Sequence, residues 1–176
     1  MKKLKLEELG RISAADYKDA EKIPVVIVLD NVRSLHNVGS AFRTADAFLV
    51  EKIILTGITG SPPNREIHKT ALGATESVPW EYVADPALAV GELKKQGFTI
   101  ACVEQTDESV PLHRLETPPS KKWAFVFGNE VNGVSDDVIA LADQAVEVPQ
   151  GGSKHSLNVS VCLGIVVWHI FRLLKL

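Results

Sequence analysis

Two uninterrupted apolar runs constrain the fold of this chain more than any other feature. Residues 25–29 read Val-Val-Ile-Val-Leu and residues 123–127 read Trp-Ala-Phe-Val-Phe. A strand with one face in water alternates apolar and polar residues, whereas a strand covered on both faces is apolar throughout. The two runs therefore predict buried strands of a parallel sheet that has helices on both faces.

The rest of the pattern alternates between the two kinds of element. Further strands are predicted at residues 52–56, 80–83, 98–103 and 145–148, and helices at 37–48, 65–72, 86–97, 135–142 and 156–174. Residues 104–122 read as a polar loop. Strands that alternate with helices predict a three-layer α/β domain with a parallel sheet. We expect one domain over residues 23–176, preceded by a polar and basic arm over residues 1–22.

Composition narrows the class of protein. The 176 residues are 45% hydrophobic and 23% charged, as in an ordinary globular protein. The net charge of −3 means that a nucleic-acid contact must rest on a local basic patch. The arm lacks the apolar core of a signal peptide, and the apolar run at 159–168 has about half the length needed to span a bilayer. A cytoplasmic protein without a membrane segment is expected.

Three polar segments follow predicted strands. They lie at residues 37–43, 128–133 and 148–161, the positions where open parallel sheets bind ligands. The chain has no Gly-x-Gly-x-x-Gly, phosphate-binding NTPase loop, Gly-x-Ser-x-Gly or zinc-ligand spacing. The remaining candidate groups are Asn37, Arg43, Glu130, Ser156 and Asn158. Such a set suits the positioning of a substrate and a reactive cofactor, and an arginine on a helix suits a phosphate.

Each candidate also has a purely structural interpretation. Arg43 could be a solvated surface residue, and Asn37 could cap the helix at 38–48. Glu130 could complement the dipole of the helix that follows it. Ser156 and Asn158 could serve only as the cap and first residues of the last helix. The glycines of the last two segments suit turns that allow close approach of the backbone.

The three segments together resemble the motifs of the SpoU (TrmH-like) family of the SPOUT superfamily of RNA methyltransferases. Asn-x-Gly-x-x-x-Arg occupies 37–43, Gly-x-Glu-x-x-Gly occupies 128–133, and Ser-Leu-Asn-Val-Ser occupies 156–160. They occur in the family's order, and the resemblance extends from about residue 24 to the end. Each motif is short and common by itself, so the signal comes from their order and separation.

The resemblance implies a fold, a cofactor and a reaction. In the family the C-terminal part of the sheet is tied in a trefoil knot, and S-adenosylmethionine binds in loops of that knot. Mapped here, those loops contain Thr106, Gly128, Val148, Pro149 and Leu157. The implied reaction transfers a methyl group to a ribose 2′-hydroxyl of tRNA or rRNA.

The family also implies how the site residues and partners act. Arg43 would bind the phosphate of the target nucleotide and help to activate its hydroxyl, and Glu130 would orient Arg43 or another donor. Ser156 and Asn158 would bind the incoming nucleotide and the methionine end of the cofactor. A homodimer that uses the last helix is implied, with RNA as the partner and no DNA, membrane or metal. RNA selection would draw on basic residues of the arm, which are Lys2, Lys3, Lys5, Arg11 and Lys18.

Other functions stay open at this point. A protein that binds RNA or assists ribosome assembly could keep the fold without the reaction. A superfamily member could instead methylate a base nitrogen, although Ser-Leu-Asn-Val-Ser is typical of the ribose-modifying branch. A small nucleotide-binding oxidoreductase is the most distant alternative.

Overall fold

The structure is a computed structural model that describes residues 1–118 and 120–176, apart from the side chain of Leu6. Within these residues the strands are β1 (Ile23–Asp30), β2 (Val50–Thr56), β3 (Trp80–Val83), β4 (Phe98–Val103), β5 (Val110–Pro111), β6 (Lys122–Phe127) and β7 (Gln144–Glu147). They form one sheet in the order β3-β2-β1-β6-β4-β7-β5, and every pairing is parallel. The predicted parallel α/β class is therefore confirmed.

The helices lie before, between and after these strands. They are α1 (Ala14–Asp19), α2 (Leu35–Ala47), α3 (Arg65–Ala71), α4 (Ala74–Ser77), α5 (Pro86–Lys95), α6 (Asp136–Leu141) and α7 (Val159–Lys175). Short 3₁₀ turns cover Leu6–Leu9 and Leu112–Arg114. In the described part of the chain, no helix is long and apolar enough to cross a membrane.

The central strand β1 is covered on both faces, as its apolar run predicts. Val25, Ile27 and Leu29 belong to a core that includes buried residues of α2, α3 and α7. Val26 and Val28 belong to a second core, which includes buried residues of α5 and α6. Since successive strand residues point to opposite faces, an apolar run lets one strand contribute to both cores.

Gly39, the glycine of the first motif, lies where α2 packs against α3. A side chain on Gly39 would collide with the Thr70 hydroxyl and the Ile67 carbonyl of α3. The same Thr70 hydroxyl donates to the His36 carbonyl at 3.0 Å. Gly39 therefore lets α2 and α3 approach closely, and the packing fixes the direction of α2 beside the sheet.

The arm over residues 1–22 is anchored at the amino edge of the sheet. The ring of Tyr17 in α1 is buried, and its hydroxyl donates to the carbonyls of Ala45 and Val50 at 3.3 and 3.2 Å. These carbonyls lie near the end of α2 and at the start of β2. Because the polar motifs follow the carboxyl ends of their strands, the anchor lies at the opposite edge of the sheet from them.

The polar loop predicted at residues 104–122 is wrong in part. It contains the edge strand β5, which pairs with β7, and a 3₁₀ turn. Leu112 and Leu115 are buried against the core. A two-residue strand containing Pro111 shows no apolar periodicity, which explains why the sequence did not indicate it.

Candidate functional site

A cleft of about 630 Å³ opens at the carboxyl edge of the sheet, where β4, β6 and β7 end and α7 begins. Its volume lies in the range of about 300–1,000 Å³ that is typical of small-molecule sites. The lining comprises residues 103–105, 127–134, 146–148 and 155–159, with Asp136, Ile139, Gln150 and Cys162. The second and third motifs thus contribute to one cavity.

The loop after β6 is shaped by Asn129. Its backbone exchanges two hydrogen bonds of 2.9 Å with Gly133, which has a φ of +72°. The Asn129 side-chain oxygen accepts from the N–H groups of Val131 and Asn132 at 2.9 and 3.1 Å. A side chain on Gly128 would collide with the backbone of Gly133 and Val134. The motif glycines therefore permit a tight loop along the wall of the cleft.

Residues from all three motifs form a chain of hydrogen bonds beside the cleft. Asn37 in the first turn of α2 donates through its amide nitrogen to Glu130 Oε1 at 3.0 Å. The Asn37 amide oxygen accepts from Asn158 Nδ2 at 3.2 Å. The order is therefore Glu130, Asn37, Asn158, and it joins positions that are 93 and 121 residues apart in the chain.

Glu130 binds the beginning of α2. In addition to Asn37, its carboxylate accepts from the N–H groups of Arg33 and Ser34 at 2.9 and 3.0 Å. Partial burial raises the pKa of Glu130, but these hydrogen bonds together lower it below the usual value. The structural interpretation of Glu130, that it complements the dipole of the helix that follows, is wrong because α6 begins only at Asp136. Glu130 instead orients Asn37, and its hydrogen bonds do not include Arg43.

Asn158, rather than Ser156, caps the last helix. Its side-chain oxygen accepts from the N–H groups of Ser160 and Val161 at 2.9 and 3.4 Å, and α7 begins at Val159. Ser156 lies exposed in the preceding loop and lines the cleft. The helix predicted over residues 156–174 therefore starts three residues too early.

Asn37 does not cap α2. The cap is Ser34, whose hydroxyl oxygen accepts from the Asn37 N–H at 3.3 Å. The structural interpretation of Asn37 as a cap is therefore wrong, and its side chain is left to join Glu130 and Asn158.

Arg43 lies outside this arrangement. It is exposed on α2 and does not line the cleft, and its side chain makes no hydrogen bond or ion pair with the residues that the structure describes. Arg43 lies six positions after Asn37 in the helix, which is about 9 Å along the axis at 1.5 Å per residue. The structure thus brings Asn37, Glu130, Ser156 and Asn158 to one place and leaves Arg43 apart from them.

The predicted cofactor residues divide into two groups. Gly128, Val148 and Leu157 line the cleft, and Pro149 lines a smaller adjoining pocket of about 340 Å³. Thr106 lines neither of these two cavities. It lies in the turn after β4, where its carbonyl accepts from the N–H and the hydroxyl of Ser109.

The cleft has an acidic lining that the motifs did not indicate. Among its described residues are four carboxylates and neither lysine nor arginine; the carboxylates are Glu104, Glu130, Asp136 and Glu147. Glu104 also holds the wall, since its Oε2 accepts from the Val134 N–H at 3.1 Å. In the sequence, only the position of Glu104 directly after β4 indicated that it could lie at the cleft. Such a lining favours a ligand that carries positive charge.

One cysteine, Cys162, lines the cleft. Burial raises the pKa of Cys162 to about 11, so its side chain stays a thiol at neutral pH. Within residues 1–118 and 120–176 there is no group of three or more His, Cys, Asp or Glu side chains that could hold a metal ion.

The sequence is similar to a known family over most of its length. The model of the SpoU rRNA Methylase family matches residues 24–168. A 23S rRNA (guanosine-2′-O-)-methyltransferase, RlmB, from Neisseria meningitidis is 35% identical over 144 residues. That match covers 82% of this chain and 56% of the relative, so the chain spans little more than half of the relative's length.

Solved structures show the same fold. An AdoMet-bound rRNA methyltransferase from Sinorhizobium meliloti superposes with a TM-score of 0.81 and 26% identity, over 91% of this chain and 61% of that one. The TrmH/SpoU tRNA modifying enzyme of A. aeolicus gives a TM-score of 0.80 and 28% identity, over 90% of this chain and 81% of that one.

Proposed function

Because the chain belongs to the SpoU rRNA methylase family, we propose that it transfers a methyl group from S-adenosylmethionine to a ribose 2′-hydroxyl of tRNA or rRNA. The observation that carries this proposal is the hydrogen-bonded chain Glu130–Asn37–Asn158 at the edge of the cleft. It unites the three motifs, although each of them is weak alone. The names of the relatives, which methylate rRNA or modify tRNA, support the same reaction.

The residues of the cleft fit the proposed cofactor. The acidic lining complements a sulfonium ion and an ammonium group, and the tight turn at Gly128 brings backbone groups to the wall. When bound, S-adenosylmethionine supplies an activated methyl group, so the chain needs no nucleophile of its own. Gly128, Val148 and Leu157 would hold it, with Pro149 and Thr106 in the adjoining loops.

The hydrogen-bond partners of the polar side chains support a role for each of them. Glu130 has three donors on its carboxylate and a lowered pKa, so it stays ionised at neutral pH and fixes Asn37. Asn37 and Asn158 would then orient the target ribose, with Ser156 beside them. Such orientation can contribute several kcal/mol to a displacement reaction. The hydroxyl proton would pass to phosphate or water.

Arg43 would act on the phosphate of the target nucleotide. A guanidinium keeps its proton, so we propose electrostatic activation rather than base catalysis. Since Arg43 does not line the cleft of its own chain, this role requires that the RNA, or a second copy of the chain, bridge the distance.

We propose that this second copy docks on α7. Val161, Ile165 and Trp168 lie along one side of α7 and are 52%, 38% and 46% exposed. Their spacing of four and three residues makes one apolar stripe on the helix. We expect gel filtration and light scattering to give the mass of two chains, and Trp168→Asp to give the mass of one. A wild-type protein with the mass of one chain would contradict the dimer.

The proposed reaction is tested by incubating the protein with labelled S-adenosylmethionine and separate pools of unmodified tRNA and rRNA. Nucleoside mass spectrometry should find a 2′-O-methyl nucleoside in one pool. A methylated base would indicate base methylation instead. Binding of RNA without any binding of S-adenosylmethionine would favour the alternative of a non-catalytic RNA-binding protein. Because such RNA is used in the cytoplasm, the proposed substrate also implies a cytoplasmic location for the protein.

The role of Arg43 is tested by Arg43→Ala. We expect turnover to fall by about a hundredfold or more while the Kd for S-adenosylmethionine changes little, since one electrostatic donor is worth that much. Lys95→Ala is the matched control, because it removes an exposed positive charge from α5, on the other face of the sheet. Equal losses of turnover in both variants would contradict a specific role for Arg43.

A further inference from the structure

Asp30 is a fully buried carboxylate at the carboxyl end of the central strand. Its Oδ2 accepts from both the N–H and the hydroxyl of Ser135, at 2.7 and 2.8 Å. Its Oδ1 accepts from Asn31 Nδ2 at 2.7 Å. A buried charge is retained only where donors satisfy it, and here three donors do so.

Asn31 extends these contacts to two further loops. It has a φ of +55°, a left-handed conformation that asparagine tolerates better than most residues. Its side-chain oxygen accepts from the Ile58 N–H at 3.1 Å, in the loop after β2. Its carbonyl accepts from Asn129 Nδ2 at 2.7 Å, in the loop after β6.

Asp30 and Asn31 together therefore hold both ends of the segment 129–135. Asn129 is bound by Asn31 and Ser135 by Asp30, and the residues between them, 130–134, line the cleft. Glu130 lies in this segment and begins the hydrogen-bonded chain through Asn37. Neither Asp30 nor Asn31 lines the cleft itself.

We propose that Asp30 and Asn31 are positioning residues for cofactor binding, because they fix the segment 129–135 that forms one wall of the cleft. The proposal rests on the proposed function, since it takes S-adenosylmethionine as the ligand of the cleft. Asp30 acts through Ser135 and Asn31, and Asn31 acts through Asn129.

The direction of the hydrogen bonds makes the proposal testable. Ile58 donates to Asn31, and Asn31 donates to Asp30, which can only accept when ionised. In Asp30→Asn, the new amide keeps one oxygen for Ser135 and turns its NH₂ group toward that of Asn31. A flip of Asn31 would relieve this contact but would oppose its NH₂ group to the Ile58 N–H. Either arrangement leaves two donors facing each other.

A reciprocal exchange should restore the network. Asn31→Asp alone brings two carboxylates together, which is also unfavourable. In the double variant Asp30→Asn/Asn31→Asp, the carboxylate introduced at position 31 accepts from the Ile58 N–H and from the amide introduced at position 30. The oxygen of that amide accepts from Ser135. Every donor then has an acceptor, and aspartate also tolerates the left-handed conformation.

Three quantities are measured on the full chain: the Kd for S-adenosylmethionine by calorimetry, hydrogen exchange of amides 129–134, and the Tm. Each single variant should raise the Kd about tenfold, equal to about 1.4 kcal/mol, and speed exchange in this segment. The double variant should return both values to within about twofold of wild type, as expected when coupled residues compensate.

Asp143→Asn is the control. The Asp143 carboxylate also accepts from a backbone N–H, that of Ile100, and from Lys94, but its side chain is 38% exposed and lies at the amino edge of the sheet. We expect this variant to lower the Tm while its Kd stays within about twofold of wild type. An equal rise of the Kd in Asp143→Asn would overturn the proposal, because general destabilisation would then suffice.

The remaining outcomes separate the two proposals. If wild type binds S-adenosylmethionine and Asp30→Asn binds it equally well, only the positioning role fails. If exchange of 129–134 rises without a change in the Kd, the positioning role fails as well. If wild type binds no S-adenosylmethionine, the proposed function fails and takes the positioning role with it.

Discussion

Asn158 has two tasks that a pair of substitutions can separate. Its side-chain oxygen caps α7 through Ser160 and Val161, whereas its side-chain nitrogen donates to Asn37. Asn158→Ala removes both interactions. Asn158→Asp keeps the capping oxygens and replaces only the donor, so that an acceptor faces the Asn37 oxygen. Asn37 cannot turn around without presenting that oxygen to the Glu130 carboxylate.

The expected magnitudes follow from these contacts. Loss of an asparagine cap costs about 0.5–2 kcal/mol, and about 1 kcal/mol lowers the Tm of a domain of this size by about 2–4 °C. Asn158→Ala should therefore lower the Tm by several degrees. Aspartate is as good a cap as asparagine, and its charge suits a helix N-terminus. Asn158→Asp should accordingly keep a Tm close to wild type.

The methyl-transfer rates of the two variants should not follow their Tm values. Both variants break the link to Asn37, so both should lose methyl transfer, by about tenfold or more if the link is worth about 1.4 kcal/mol in the transition state. The assays are thermal unfolding and transfer of a labelled methyl group to the RNA pool that the wild type modifies. If Asn158→Asp transfers methyl groups at the wild-type rate, the link does not serve the reaction. An unchanged Tm in Asn158→Ala would refute the capping argument.

The two remaining predictions concern the cleft loop. Gly128→Ala should weaken S-adenosylmethionine binding about tenfold or more by calorimetry, and it should also lower the Tm. The reason is that the added methyl group would displace Gly133 at a cost of about 1–3 kcal/mol. Gly91→Ala in α5 is the control: no atom lies near the added methyl group, so the affinity should be kept and the Tm should be unchanged or higher. Glu130→Gln should lower stability by about 1 kcal/mol at neutral pH. Because hydrogen bonds outweigh burial and lower the pKa of Glu130 below 4.5, its contribution is present above that value and disappears as the pH falls through the lowered pKa. The difference between wild type and Glu130→Gln in thermal unfolding should therefore shrink in acid, and a constant difference would refute this origin.

The sheet could be predicted because its signal is local. The apolar run in β1 reports burial on both faces, and the two cores on either side of that strand bear this out. The bounds of α7 were less accessible, because Ser156 and Asn158 are both good capping residues by type. Only the fold decides which of them meets the N–H groups of the first turn.

The partners of the site residues could not be predicted in the same way. Glu130 is 97 and 96 positions from the two N–H groups that it binds, and no local pattern records such a contact. Asp30 and Asn31 directly follow the apolar run of β1, and that position does not indicate the distant partners Ser135 and Asn129. The trefoil knot and the homodimer stay predictions, and so do the roles of the site residues.

The order of strands in the sheet has a consequence for how the protein reaches its native state. β6 lies between β1 and β4, and its pairing with β1 joins Val25 to Trp123, almost a hundred residues along the chain. Closing so long a loop is entropically costly, and parallel pairings of this kind are slow to form. The loop that follows β6 is also a wall of the cleft, so the cavity cannot exist before the two halves of the sheet have met. Ligand binding in the cleft would consequently report the final assembly of the sheet. In a refolding experiment, the rate at which binding appears would measure the rate of that late step.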